Sequence, residues 1–222
     1  LGAPFEMGHL GATVDSRSGI ERTAIKFLPV EWCAQAPVEL FLDLRKRIDW
    51  RDIEAIDVFG YEFLYNEIGG GRNDGPEKWA PKPREPADHS LAYILAVTLV
   101  DGEISLESFD LERVEDPALR PLMQKISVSV DPATLELESP RQPGRFEICL
   151  KNGDIIEEAC EYPFGHPMNP AGSAMVSEKF MALAERTVDA DAAVDLLSIL
   201  RELADDSDLG QLTNAMRKLP VH

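Results

Sequence analysis

From Leu91 to Val100 the chain reads Leu-Ala-Tyr-Ile-Leu-Ala-Val-Thr-Leu-Val, a run with no charge and no polar face. Such a run is about half the length of a membrane span. Apolar on nearly every side, it predicts a helix buried within a folded body rather than one lying on a surface. Asp88 is placed to cap its N-terminus and Gly102, after Asp101, to end it. The rest of the 222 residues must supply the layers that cover this helix.

The flanking segments have other periodicities. Val38, Leu40, Phe41, Leu44 and Ile48 fall on one helical face behind Pro37, and residues 53–65 predict a strand interrupted near Gly60. A polar stretch, 66–87, holds Gly69-Gly70-Gly71 and four prolines and predicts a long loop; without a G-K-[ST] ending, its glycines do not make a phosphate loop. Short helices are expected near 105–109 and 116–125. Strands are expected at 126–130, 145–150 and 155–161, with Lys151-Asn152-Gly153-Asp154 as a hairpin turn. A Pro/Gly-rich connector, 163–173, leads to two amphipathic helices and a last short one near 209–219. This order predicts an α+β protein: part of a multihelical domain carrying an inserted two-layer α+β lid. The expected bounds are 1–48 for the helical part, 49–167 for the lid and 168–222 for returning helices.

Forty acidic residues against 22 basic ones leave a net charge of −18, which argues against nucleic acid as a partner. No apolar stretch is long enough to span a membrane. Cys33, Cys149 and Cys160 form no C-x-x-C pair, and the four histidines show no H-x-x-x-H spacing, so neither a disulfide framework nor a metal centre is expected. The unpaired cysteines and the absence of an export signal make the cytoplasm the expected compartment. The opening Leu-Gly-Ala-Pro-Phe-Glu lacks a Met and reads like the interior of a longer protein.

Four ordered stretches carry a family resemblance. Lys78-Trp79-Ala80-Pro81-Lys82-Pro83-Arg84-Glu85-Pro86-Ala87-Asp88-His89-Ser90-Leu91-Ala92-Tyr93, followed by Val100-Asp101-Gly102, resembles the signature of the 2-methylcitrate dehydratase (MmgE/PrpD) family. Ile25-Lys26-Phe27-Leu28-Pro29 with Ala34-Gln35, Glu161-Tyr162-Pro163-Phe164-Gly165-His166, and Asn169-Pro170 with Glu178-Lys179-Phe180 agree in order. The resemblance implies a large helical domain with a smaller α+β lid. It also implies that this chain is the C-terminal half of a protein about twice as long, commonly dimeric, acting without metal or cofactor on small polycarboxylates. Dehydration of 2-methylcitrate is the expected reaction; decarboxylation or epimerisation of a related acid, or a non-catalytic lid and association role, are the alternatives.

Chemistry of that kind moves a proton beside a carboxylate while cations hold the remaining carboxylates. In an acidic protein those cations must be placed deliberately. Arg22, Lys26, Lys78, Lys82 and Arg84 lie near the matched motifs. Lys26, whose counterpart the resemblance places in the pocket, and His89 are the catalytic candidates; Lys82, Arg84 and Gln35 are the substrate-binding candidates. Lys26 reads equally as a surface lysine, and His89 equally as a brace for the preceding loop. Cys33 stands where relatives often carry histidine, and a thiol is a poor base near neutral pH unless its pKa is depressed; a buried structural cysteine is the alternative. Glu31 is either an acid/base group or solvent-facing. Tyr93 is expected in the core, and His166 at a hinge or interface.

Overall fold

The computed structural model describes residues 23–71, 75–135, 141–203 and 209–219. The chain divides into two compact units after Asn169.

In the first unit, a 3-10 turn at Trp32–Ala34 leads into helix α1 (Gln35–Leu44). Strand β1 (Ile53–Gly60) follows and ends where the sequence pattern expected only an interruption. Tyr61 and Phe63, expected in a strand, instead cap and begin helix α2 (Glu62–Glu67). The stretch expected as a long loop holds two short helices, α3 (Gly75–Lys78) and α4 (Arg84–Asp88). Helix α5 (Leu91–Asp101) comes next, then α6 (Leu111–Val114), α7 (Arg120–Met123) and strands β2 (Ile126–Val130), β3 (Gly144–Leu150) and β4 (Ile155–Cys160).

The sheet has the order β2-β1-β3-β4. β1 and β2 are parallel, so the chain between them must cross over, and α2 to α7 occupy that crossover. β3 and β4 form an antiparallel hairpin whose turn places Gly153 at φ +92°. Ile56, Val58, Phe146, Ile148 and Ile126 point to one buried face, while Ser127, Ser129, Arg145 and Ile155 look the other way. Ile53 is also buried although it lies three residues before Ile56; a register shift between Ile53 and Ala55 brings it back into phase. One covered face makes this a two-layer α+β unit.

Helix α5 lies in the middle of that unit. Leu91 to Leu99 are all buried, and the unit's core gathers around them with Phe41 of α1 set edge-on to Phe146 at 5.4 Å. Its polar atoms are accounted for internally. Thr98 Oγ1 donates to the Ile94 carbonyl at 2.7 Å, and the Tyr93 hydroxyl donates to the Ser108 carbonyl. The N-cap is Ser90, not Asp88: Ser90 Oγ accepts from Tyr93 N–H at 3.1 Å and donates to the Lys78 carbonyl. Asp88 ends α4 instead, because the Ser-Leu step is where extended backbone turns helical. Gly102 at φ +78° stops the helix as expected, and Arg45 donates to the Leu99 and Val100 carbonyls at 2.7 and 3.2 Å. A side chain at Gly102 would collide with that guanidinium.

The second unit contains α8 (Ser173–Ala184), α9 (Ala190–Glu202) and α10 (Gly210–Arg217). Asp189 caps α9 by accepting from Ala192 N–H, and Arg201 donates to Ser177 Oγ at 2.7 Å. Among its described residues only Ala193 and Leu196 are buried, while Met175, Leu183, Val194, Leu209 and Met216 are exposed. No helix among the described residues is long and apolar enough to cross a membrane.

Candidate active site

The motif at 25–29 and the motif at 161–166, some 140 residues apart in sequence, meet in space. Ile25 N–H donates to the Gly165 carbonyl at 3.0 Å. The rings of Phe27 and Phe164 lie 4.7 Å apart. Gly165 has φ +86°, and a Cβ there would stand 2.3 Å from the Ile25 carbonyl oxygen, so glycine is required both by conformation and by contact. Glu39, on α1, takes Phe164 N–H between its two carboxylate oxygens at 3.0 and 3.1 Å. Burial pushes the Glu39 carboxyl above the usual carboxylate range, against the opposing pull of that N–H.

His166 packs against Tyr162 and Trp32, with ring centroids 4.7 and 6.2 Å away. Its Nδ1 accepts from Met168 N–H at 3.0 Å, which requires a ring unprotonated at that nitrogen, and burial lowers its pKa. The expected hinge or interface histidine is therefore one that braces the turn leading to Asn169.

Gln35 is fully buried, and its side chain is spent on the backbone. Oε1 accepts from Phe27 N–H at 3.2 Å and Leu28 N–H at 3.1 Å; Nε2 donates to the Leu28 and Val30 carbonyls at 2.8 and 3.1 Å. It clamps the 27–30 turn, leaving its amide no role toward substrate here. Lys26 lies between these fixed neighbours and is itself exposed.

Behind the turn, Glu31 caps the Trp32–Ala34 turn by accepting from Cys33 N–H at 2.5 Å. Cys33 is buried, and burial with the nearby Glu31 pushes its thiol up to about 12. That makes it inert as a base, in keeping with the structural alternative. The Tyr61 hydroxyl is buried beside that thiol, a weak hydrogen-bond partner, and burial raises its pKa. Glu67 lies close enough to raise the thiol pKa further, and its carbonyl accepts from Lys78 Nζ at 3.0 Å. Lys78 is buried and directed at its own fold.

The 82–89 segment offers different chemistry. Lys82 and Arg84 are exposed, with no ion-pair partner among the described residues. His89 Nδ1 faces two acceptors, the Asp88 carboxylate and the Glu85 carbonyl at 3.3 Å, so that nitrogen holds the proton. Nε2 has no partner among the described residues. No hydrogen bond or ion pair joins Lys26 to Lys82, Arg84 or His89. Arg22 lies outside the described residues.

A groove of about 730 Å³ between α1 and β4 is lined by Lys46 and Arg47. Both are already paired, with Asp43 and Glu158, and an anionic ligand would find no uncommitted cation in it. Among the described residues no group of three or more His, Cys, Asp and Glu is gathered to hold a metal ion.

Comparison with known proteins decides the family, because residues 28–205 match the MmgE/PrpD C-terminal domain. The chain belongs to the MmgE/PrpD family. It is 26% identical to cis-aconitate decarboxylase of Mus musculus over 144 residues, covering 62% of this chain and 28% of that protein. The human cis-aconitate decarboxylase is 26% identical over 137 residues, with the same coverage. The 2-methylcitrate dehydratase of Cupriavidus necator is 28% identical over 165 residues, covering 68% of this chain and 32% of that protein. The matched stretch thus takes in less than a third of each relative. The MmgE/PrpD relatives are decarboxylases and dehydratases, and Glu39, whose hold on Phe164 sequence reasoning missed, lies outside the quoted motifs.

Proposed function

We propose that this MmgE/PrpD chain forms part of a lyase that eliminates water from a small polycarboxylate of the 2-methylcitrate type. The observation that carries the reading is the state of its cations. Lys46, Arg47, Arg113, Arg141 and Arg145 are committed to carboxylates of the chain itself. Lys26, Lys82 and Arg84, all within or beside family motifs, are exposed and in no ion pair among the described residues, in a chain of net charge −18. Uncommitted cations in an acidic protein are what a di- or trianionic substrate requires. In this reading Lys26 holds a substrate carboxylate, and Lys82 and Arg84 the others. His89, with its proton fixed on Nδ1 by Asp88, takes a proton at Nε2 from the carbon beside a carboxylate, while the hydroxyl departs.

Decarboxylation of a cis-aconitate-like acid is the second reading, favoured by the decarboxylases among the relatives. It shares the cations and differs in the bond that breaks. The test is turnover by the complete protein, followed by proton NMR with 2-methylcitrate and with cis-aconitate. Loss of water from the former supports the first reading, and carbon dioxide release from the latter the second. Failure to bind or convert either acid, or a Lys26→Ala variant with unchanged kinetics, refutes both.

A further inference from the structure

We propose that Glu39 is a positioning residue for Lys26, holding the backbone on which that lysine stands through a turn more than a hundred residues away. The inference rests on the reading of Lys26 as a substrate anchor.

An exposed lysine on an extended segment is ordinarily a poor anchor, because its backbone as well as its side chain must be ordered on binding. Lys26 is not in that situation. The residue before it, Ile25, is held by the Gly165 carbonyl at 3.0 Å. The residue after it, Phe27, is held twice, by its ring against Phe164 and by its N–H on Gln35 Oε1. Both holds reach back to one helix. Gln35 and Glu39 are four residues apart on α1 and so share a face of it. Gln35 grips the lysine's segment directly. Glu39 grips Phe164 N–H with both carboxylate oxygens, and Phe164-Gly165 carries the contacts to Phe27 and Ile25.

Removing the Glu39 carboxylate releases the turn, and with it one of the two supports of Lys26. A glutamine at this position keeps an oxygen that can accept from Phe164 N–H. An aspartate keeps the charge but withdraws it by one methylene. A residue that matters only for general stability would not distinguish these replacements in this order.

The experiment uses the complete protein and citrate as a tricarboxylate probe, with amide hydrogen exchange at Phe27 and Leu28 and calorimetric citrate affinity as readouts. Glu39→Ala is expected to speed exchange by about 3- to 10-fold, the loss of one net hydrogen bond, and to weaken citrate by a similar factor. Glu39→Gln is expected to stay within about twofold of the parent in both. Should Glu39→Ala not fold, Glu39→Asp is expected to give the same change in weaker form. Unchanged exchange in Glu39→Ala or Glu39→Asp overturns the clasp. Faster exchange with unchanged citrate affinity, in a protein whose Lys26→Ala variant does lose affinity, overturns the positioning role and leaves the anchor standing. A Lys26→Ala variant that binds citrate normally removes the anchor, and the positioning role with it.

Discussion

Replacing Gly165 by alanine tests the meeting of the two family motifs most directly. At φ +86° a side chain other than glycine costs about 1–2 kcal/mol from contact of its Cβ with its own backbone. The new Cβ would also stand 2.3 Å from the Ile25 carbonyl oxygen and 2.9 Å from the Phe27 ring, so the 25–27 segment must move away. Moving it breaks the bond from Ile25 N–H to the Gly165 carbonyl, a further net loss of about 0.5–1.5 kcal/mol. The sum is about 1.5–3.5 kcal/mol, or roughly a 10- to 350-fold shift in the equilibrium between docked and released segment. Because residues 25–29 are exposed or only half-buried, the loss is expected as local release before global unfolding. Amide exchange at residues 24–30 should therefore accelerate by that factor, with a smaller drop in urea stability. A change under about 0.5 kcal/mol in both would place Gly165→Ala among ordinary surface substitutions and refute the reasoning.

Three further outcomes are expected. Tyr61→Phe removes a buried hydroxyl whose neighbour is the weakly bonding Cys33 thiol, so urea stability should change by less than about 1 kcal/mol; a larger loss would mean that the hydroxyl is well satisfied. Ser90→Ala deletes both the α5 cap and the bond to the Lys78 carbonyl, for about 2–3 kcal/mol lower stability by urea titration, whereas Asp88→Ala should leave the start of α5 intact. His166 has a folded pKa below its ordinary 6.5, so its contribution to stability is complete above that pH and is lost as pH falls through the folded value. Stability measured between pH 7.5 and 5 should decline less in His166→Asn, which retains an acceptor for Met168 N–H; equal slopes would show that the ring does not titrate with unfolding.

The buried helix α5 could be read directly from the sequence, because ten apolar residues allow little else, and Gly102 ends it as its residue type requires. The strands expected at 126–130, 145–150 and 155–161, found within a residue of those bounds, were similarly legible from alternation and from the Asn-Gly turn. The pattern failed at Tyr61 and Phe63, where aromatic residues favour a strand by propensity but the chain turns into α2 after Gly60. It failed again at Asp88, since either Asp or Ser can cap, and which of them stands at the boundary is settled by the helix's docking rather than by residue type.

The candidate site divides in the same way. Lys26, Lys82, Arg84 and His89 were recognisable as reactive or charged groups beside motifs. Gln35 was not recognisable as a clamp, because nothing in its neighbours announces four hydrogen bonds to the backbone. Sequence alone determined the central helix, the four-part family signature and the scarcity of positive charge, all of which are properties of residues close together in the chain or of simple totals. Only the tertiary structure decided that Gly165 presses on Ile25, that Glu39 holds Phe164, and which cations are already spent. Those are contacts between residues whose separation along the chain sets no limit on their partners, so they exist only once the layers have packed.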